Sequence, residues 1–160
     1  MKLRYEVPGD DLSLAGRAST EVKRALGRLG IDPADVKRVA VAMYEAEINM
    51  AIHAGGGVAE AEISPGRVVV VMEDRGPGIA DLELAMQEGY STAPESVREL
   101  GFGAGMGLPN IKRNADELRI DTEPGRGTTV TISIGLKPAA SDEAPAGASA
   151  GVASAGGREA

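Results

Sequence analysis

The chain has 160 residues, 42% of them apolar and 26% charged, which leaves room for one core and excludes two full domains and a membrane-embedded protein. Seventeen Lys and Arg against 24 Asp and Glu give a net charge of −7, a field that repels phosphate backbones and anionic lipid and so argues against nucleic-acid and membrane partners. With no cysteine there is no disulfide framework, thiolate metal site or cysteine nucleophile, and the cytoplasm is the expected compartment.

The opening Met1-Lys2-Leu3-Arg4-Tyr5-Glu6-Val7 alternates and is interrupted by charge. It reads as an edge strand over residues 2–7 and lacks the apolar stretch of a secretory signal. Pro8-Gly9-Asp10-Asp11 makes a turn and offers an N-cap to a helix running through about Leu29, where Gly30 ends it. Asp32 as cap and Pro33 at the first helical position open a second helix that reaches His53 before Gly55-Gly56-Gly57. The period then changes. Val58 to Ile63 and Arg67 to Asp74 read as two strands joined by Ser64-Pro65-Gly66, the second carrying the continuous apolar run of a buried strand.

A short helix is expected over Asp81 to Glu88. Residues 89–107 hold five glycines and few core candidates, which predicts a long loop of the kind that forms a functional lid. Leu108-Pro109 opens a third helix to Ala115, and two final strands, about Glu117–Glu123 and Thr128–Leu136, flank the turn Pro124-Gly125-Arg126-Gly127. Residues 138–160 are dominated by Ala, Gly, Ser and Pro and read as a disordered tail, leaving 1–137 as the folded unit. This order predicts an α/β sandwich with a mixed, mostly antiparallel sheet covered on one face by helices.

Three segments carry chemistry. Between Val39 and Ile52 the second helix is apolar apart from Glu45, Glu47 and Asn49, with Tyr44 amphipathic. Glu45, Asn49 and His53 fall on one stripe, whereas Glu47 points away from Glu45 by about 160°. Glu45 could accept a proton from a hydroxyl and Asn49 could offer a neutral oxygen to Mg²⁺; the same pattern also describes a solvent-facing polar seam. Asp74 stands where the most apolar strand meets Arg75-Gly76-Pro77-Gly78. An ionised Asp only accepts hydrogen bonds, so it suits the exocyclic amine of adenine and repels the carbonyl of guanine, unless it merely caps its own turn. Gly101-Phe102-Gly103-Ala104-Gly105-Met106-Gly107 places glycine at every second position before a helix, which makes either a phosphate nest or a hinge. The loop contains no Gly-Lys pair and no Gly-x-Gly-x-x-Gly frame, which removes the P-loop and dinucleotide fingerprints. Four aromatics, Tyr5, Tyr44, Tyr90 and Phe102, are too few for a base-stacking platform.

Glu45 with Asn49, the Asp74 turn, the glycine ladder and Gly125-Arg126-Gly127-Thr128 occur in an order and spacing that resembles the boxes of the GHKL superfamily. That ATP-binding (Bergerat-type) fold is shared by gyrase, a heat-shock chaperone, histidine kinases and the mismatch-repair protein MutL. Glu73-Asp74-Arg75-Gly76-Pro77-Gly78-Ile79 with Gly89-Tyr90-Ser91-Thr92 resembles its anti-sigma-factor serine kinases and, more closely, the related stress-signalling switch kinases. The resemblance spans about residues 1–137. It implies ATP held beneath the lid, with Glu45 as the base activating a serine or threonine hydroxyl, Asn49 holding Mg²⁺ and Asp74 reading adenine. Gly76 and Gly78 would lie beneath the base, Gly103, Gly105 and Gly107 would wrap the phosphates, and Thr128 would support the adenine-side network. It further implies a serine/threonine protein kinase acting as a partner switch, which phosphorylates a small antagonist protein and binds a sigma factor or a protein phosphatase in the alternative state; a homodimer is compatible with it. An ATP-sensing binding module without phosphoryl transfer is the alternative. A detached histidine-kinase domain is a third reading, although the sole histidine lies in the proposed ATP site and no acceptor helix accompanies it.

Overall fold

The computed structural model describes residues 1–91, 93, 95 and 106–140. Five strands, β1 (Lys2–Pro8), β2 (Gly56–Ser64), β3 (Arg67–Glu73), β4 (Glu117–Glu123) and β5 (Gly127–Gly135), form one sheet in the order β1-β2-β3-β5-β4. Every neighbouring pair is antiparallel, which gives the expected α/β sandwich without a parallel pair. The register aligns apolar rows: Tyr5, Ala59, Met72, Val130 and Ile120 lie abreast, as do Leu3, Ala61, Val70, Ile132 and Leu118. These rows meet the helices. The alternate positions form a polar face, with Arg4, Glu60, Val71, Thr131 and Arg119 abreast. Consequently the apolar run of β3 is buried on one side only, with Val68, Val70 and Met72 in the core and Val69 and Val71 half-buried.

The helical layer includes α1 (Arg17–Arg28), α2 (Pro33–Ala54), the single turn α3 (Leu82–Ala85) and α4 (Gly107–Asn114). Val22 and Leu26 of α1, Val39 and Met43 of α2 and Ile111 of α4 are buried in one cluster with Val68, Val70, Ile132 and Ile134 of the sheet. The start of α2 follows the sequence signal: Asp32 accepts from Ala34 N–H at 2.9 Å, Pro33 opens the helix, and Gly55 at φ +70° ends it.

The first helix departs from expectation. Asp11 caps only a 3₁₀ turn, Leu12–Leu14, through Ser13 N–H at 2.9 Å. Ala15 is extended and Gly16 takes φ +98°, so the chain redirects before α1 begins and no side chain of its own caps that helix. The expected helix 81–88 contracts to α3, whose cap is Asp81 accepting from Leu84 N–H at 3.1 Å. Beyond β5, Lys137 C=O accepts from Asp32 N–H at 2.8 Å and Ala139 N–H donates to Gly30 C=O at 2.7 Å; Pro138 thus bridges Ile31. Most of the expected lid and residues 141–160 of the expected tail lie outside the described residues.

A polar bracket sets α2 and α4 against the sheet. Buried Asp35 accepts from Lys137 N–H at 2.9 Å and from Arg38 Nη1 at 3.3 Å. Arg38 also donates to Asn114 C=O at 3.1 Å and to Asp116 Oδ1 at 2.6 Å, while Asp116 Oδ2 takes Gly135 N–H at 2.6 Å. The Gly135 N–H and the Arg38 guanidinium hold the Asp116 carboxyl below its ordinary value of 3.8. A carboxylate with a depressed folded-state value stabilises the fold above its unfolded value and loses that contribution as pH falls. Asp116→Asn is therefore expected to destabilise the domain at neutral pH, with the difference from wild type closing as pH falls below 3.8, as read by urea unfolding across a pH series.

Candidate functional site

A cavity of about 500 Å³ opens between the C-terminal half of α2, the loop after β3, the start of β5 and the N-terminus of α4. That volume suits a small-molecule ligand. Glu45, Asn49, His53, Asp74, Gly78, Gly107 and Thr128 all line it. The α2 stripe therefore forms one wall of this cavity, because the i, i+4, i+8 spacing keeps its three residues on one side of the helix.

The opposite wall is built by Asp74. Its Oδ1 accepts from Gly76 N–H at 2.9 Å and from Thr128 N–H at 3.1 Å, and its own N–H donates to Thr128 C=O at 2.9 Å. Asp74 thus caps its turn and also spans from the end of β3 to the start of β5. Both bonds fall on Oδ1, and Asp74 lines the cavity. Thr128 is buried, and its Oγ1 lies 2.9 Å from Thr122 Oγ1, which accepts from Ile79 N–H at 2.8 Å. The turn between β4 and β5 is thereby tied to the Asp74 loop. Gly127 makes that approach possible: its φ is +126°, and a Cβ there would lie 2.2 Å from Asp74 C=O.

Not every expected residue meets the cavity. Gly76 packs on the end of α2, where a Cβ would come within 2.5 Å of Ala54 Cβ, and its N–H is spent on Asp74. Gly103 and Gly105 lie outside the described residues. Gly107 is the first residue of α4, and a Cβ on it would lie 2.9 Å from Asn49 Oδ1. The absent side chain lets the amide of Asn49 sit against the positive end of α4. Burial pushes His53 below its ordinary value of 6.5, which favours the neutral imidazole.

Apolar side chains complete the cavity, among them Ile79, Met106, Leu108 and Val130. Asn110 of α4 also escaped sequence reading; its Nδ2 lies 3.4 Å from Glu45 Oε1. Nothing in its local sequence marks it, since the contact spans 65 residues.

Glu47, set aside because it points away from Glu45, has a structural role. It is only 1% exposed and reaches the bare N-terminus of α1, where Oε2 accepts from Gly16 N–H at 2.8 Å and Ala18 N–H at 3.3 Å, and Oε1 from Ser19 N–H at 2.5 Å. A carboxylate from α2 does the work of the missing cap. The signal in the sequence was an acid on an apolar helix; the uncapped start of α1 is visible only in the structure.

The donor set fits Mg²⁺ only in company. Among the described residues no group of three or more His, Cys, Asp or Glu is placed to hold a metal, and Asn49 is a single neutral oxygen. Mg²⁺ keeps several waters and takes much of its remaining shell from phosphate oxygens, so Asn49 suits a metal that arrives with a nucleotide. No helix among the described residues is long and apolar enough to cross a membrane.

Comparison with known proteins gives the same outline. The chain is 34% identical over 116 residues to the serine/threonine-protein kinase RsbT of Bacillus subtilis (strain 168), covering 67% of this chain and 81% of that one. It is 37% identical over 103 residues to the anti-sigma F factor of Pasteuria penetrans, covering 60% of this chain and 63% of that one. Among solved structures, the RsbU and RsbW domains of Rv1364c from Mycobacterium tuberculosis align with a TM-score of 0.58 at 20% identity, over 87% of this chain and 34% of that one. The SiaB–SiaC complex from Pseudomonas aeruginosa aligns with a TM-score of 0.56 at 16% identity, over 82% and 88%. At these identities the structures speak for the fold alone. The sequence model of the histidine kinase-like ATPase domain matches residues 10–134, and the chain belongs to that family.

Proposed function

We propose that the chain is an ATP-dependent serine/threonine protein kinase that acts as a partner-switching regulator, with residues 1–137 as the ATP-binding unit. The observation that carries this reading is that one cavity gathers an acid, a neutral oxygen donor, a buried-edge aspartate and a helix N-terminus. Asp74 accepts from the adenine amine and Thr128 holds Asp74 in place. Asn49 and Gly107, at the positive end of α4, receive the phosphates and their Mg²⁺, which when bound neutralises charge on the transferring group. Glu45 takes the proton of a serine or threonine hydroxyl as that oxygen bonds to the γ-phosphorus and the bond to ADP breaks. The acceptor belongs to a small antagonist protein, and a sigma factor or a protein phosphatase is the second partner. The similarity to RsbT and to anti-sigma F factors supports this assignment, and a cysteine-free chain using ATP suits the cytoplasm.

Incubation with Mg-ATP and the proteins encoded beside this gene, followed by mass mapping, tests the reading. Acid-stable phosphate on serine or threonine of a partner is expected. Acid-labile phosphate would identify a histidine kinase, and ATP binding without transfer an ATP-sensing module. The adenine assignment has a separate test. Asp74→Asn is expected to weaken ATP binding by more than about 1 kcal/mol, the scale of a charge-assisted hydrogen bond, in titration calorimetry; unchanged affinity would refute the role of Asp74.

A further inference from the structure

We propose that Asn110 is the positioning residue for Glu45 and that Arg113 sets its orientation; this rests on Glu45 being the base. Asn110 Nδ2 donates toward Glu45 Oε1 at 3.4 Å. Arg113 Nη1 donates to Asn110 Oδ1 at 3.1 Å, and Arg113 Nη2 donates to Glu88 Oε1 at 2.6 Å. A guanidinium only donates and a carboxylate only accepts. The amide of Asn110 therefore has one satisfactory orientation, with oxygen toward Arg113 and nitrogen toward Glu45. Turned over, it would set donor against donor and oxygen against carboxylate.

The choice of an amide has a chemical consequence. A cation beside a base stabilises its charged form and lowers its basicity. Asn110 steers Glu45 with a neutral donor and keeps the Arg113 charge one residue further off, tied to Glu88. One oxygen of Glu45 is engaged and the other remains for a hydroxyl proton. At 3.4 Å the contact is long, as catalytic hydrogen bonds often are before substrate arrives. The other titratable groups that line the cavity with Glu45 are Tyr44 and His53 from α2, Asp74 and Asp81 from the loop after β3, and Tyr90. Among the described residues α4 adds no carboxylate there; its charge nearest to position 110 is Arg113, which holds Asn110 Oδ1 at 3.1 Å.

The experiment uses the full chain without a partner first. The Glu45 side-chain carboxyl is titrated by ¹³C NMR in wild type, Asn110→Ala and Asn110→Asp, with urea unfolding as the check on folding and ATP affinity measured alongside. A second carboxylate placed beside Glu45 disfavours its ionised form, so the Asn110→Asp curve should move to higher pH relative to wild type. With the acceptor found by mass mapping, Asn110→Ala should lower kcat by up to about 10²-fold at unchanged ATP affinity, the scale of a catalytic group misplaced by about 1 Å. In Asn110→Asp the acid limb of the pH–rate profile should move to higher pH. Arg113→Ala, which leaves Asn110 free to turn, should lower kcat in the same sense but by less.

Titration curves and transfer rates equal to wild type in both Asn110 variants would overturn the proposal. So would a loss of ATP affinity parallel to the loss of rate, which would place Asn110 in nucleotide binding. Glu45→Gln run in parallel separates the two readings. If Glu45→Gln still transfers phosphate, the base is elsewhere; if it is inactive while the Asn110 variants behave as wild type, the positioning role alone falls.

Discussion

Glu45→Gln should bind Mg-ATP as wild type does and should transfer phosphate roughly 10²- to 10⁴-fold more slowly, the usual contribution of a positioned general base. The substitution keeps the side chain's shape and its contact with Asn110 within reach, and removes only the capacity to accept a proton. Nucleotide affinity should survive because the groups assigned to hold ATP lie elsewhere on the cavity wall: Asp74 is anchored by Gly76 and Thr128, and Asn49 stands one helical turn away beside Gly107. The measurement pairs titration calorimetry with the rate of label transfer to the acceptor. Transfer at the wild-type rate would remove Glu45 from the chemistry. Loss of both binding and transfer would instead place its charge in the nucleotide site.

Glu47→Ala should unfold the domain far more readily, by about 3 kcal/mol or more, since three buried backbone N–H groups lose their acceptor and each such loss costs roughly 1–3 kcal/mol. Gly16, Ala18 and Ser19 have no other capping side chain, because Gly16 occupies the N-cap position of α1. A domain of this size has a stability of about 5–15 kcal/mol, so the shift in urea midpoint at unchanged m-value should be large. Glu47→Gln should recover part of it, keeping one accepting oxygen while turning an amide donor toward an N–H. A midpoint unchanged in Glu47→Ala would mean that α1 is capped without this carboxylate.

The two glutamates show how far sequence reasoning reached. Glu45 and Glu47 are separated by one residue on the same helix and carry the same functional group. Helical spacing correctly put them on opposite sides. It also joined Glu45 to Asn49 and His53, and those three do line one cavity. It could not say what Glu47 meets, since its partners lie 28 to 31 residues away and depend on a glycine at φ +98°. The first helix was misread for the same reason: Asp11 looks like its cap, but Ala15 and Gly16 redirect the chain and the true cap comes from another helix.

Asp74 gives an intermediate case. Its position at the end of an apolar strand before a glycine turn marked it as a special acceptor, and two readings stood, a self-capped turn or a ligand contact. The structure shows the cap on Gly76 and adds the bond to Thr128 across to β5. One carboxylate oxygen, Oδ1, serves the fold, and the residue also lines the cavity.

The linear chain determined the five strands, the second helix, the helix-on-sheet architecture and the placing of Glu45, Asn49, Asp74, Gly78, Gly107 and Thr128 around one cavity. These follow from patterns that are local, such as apolar period, caps, and glycine or proline turns. Tertiary structure decided the rest: that the sheet is antiparallel throughout, that Gly76 faces Ala54 rather than the cavity, that Glu47 caps α1 and that Asn110 reaches Glu45. Those outcomes depend on strand register and helix crossing, which bring together groups such as Gly76 and Ala54, Glu47 and Ser19, and Asn110 and Glu45 from different elements, and no periodicity within one element carries that information.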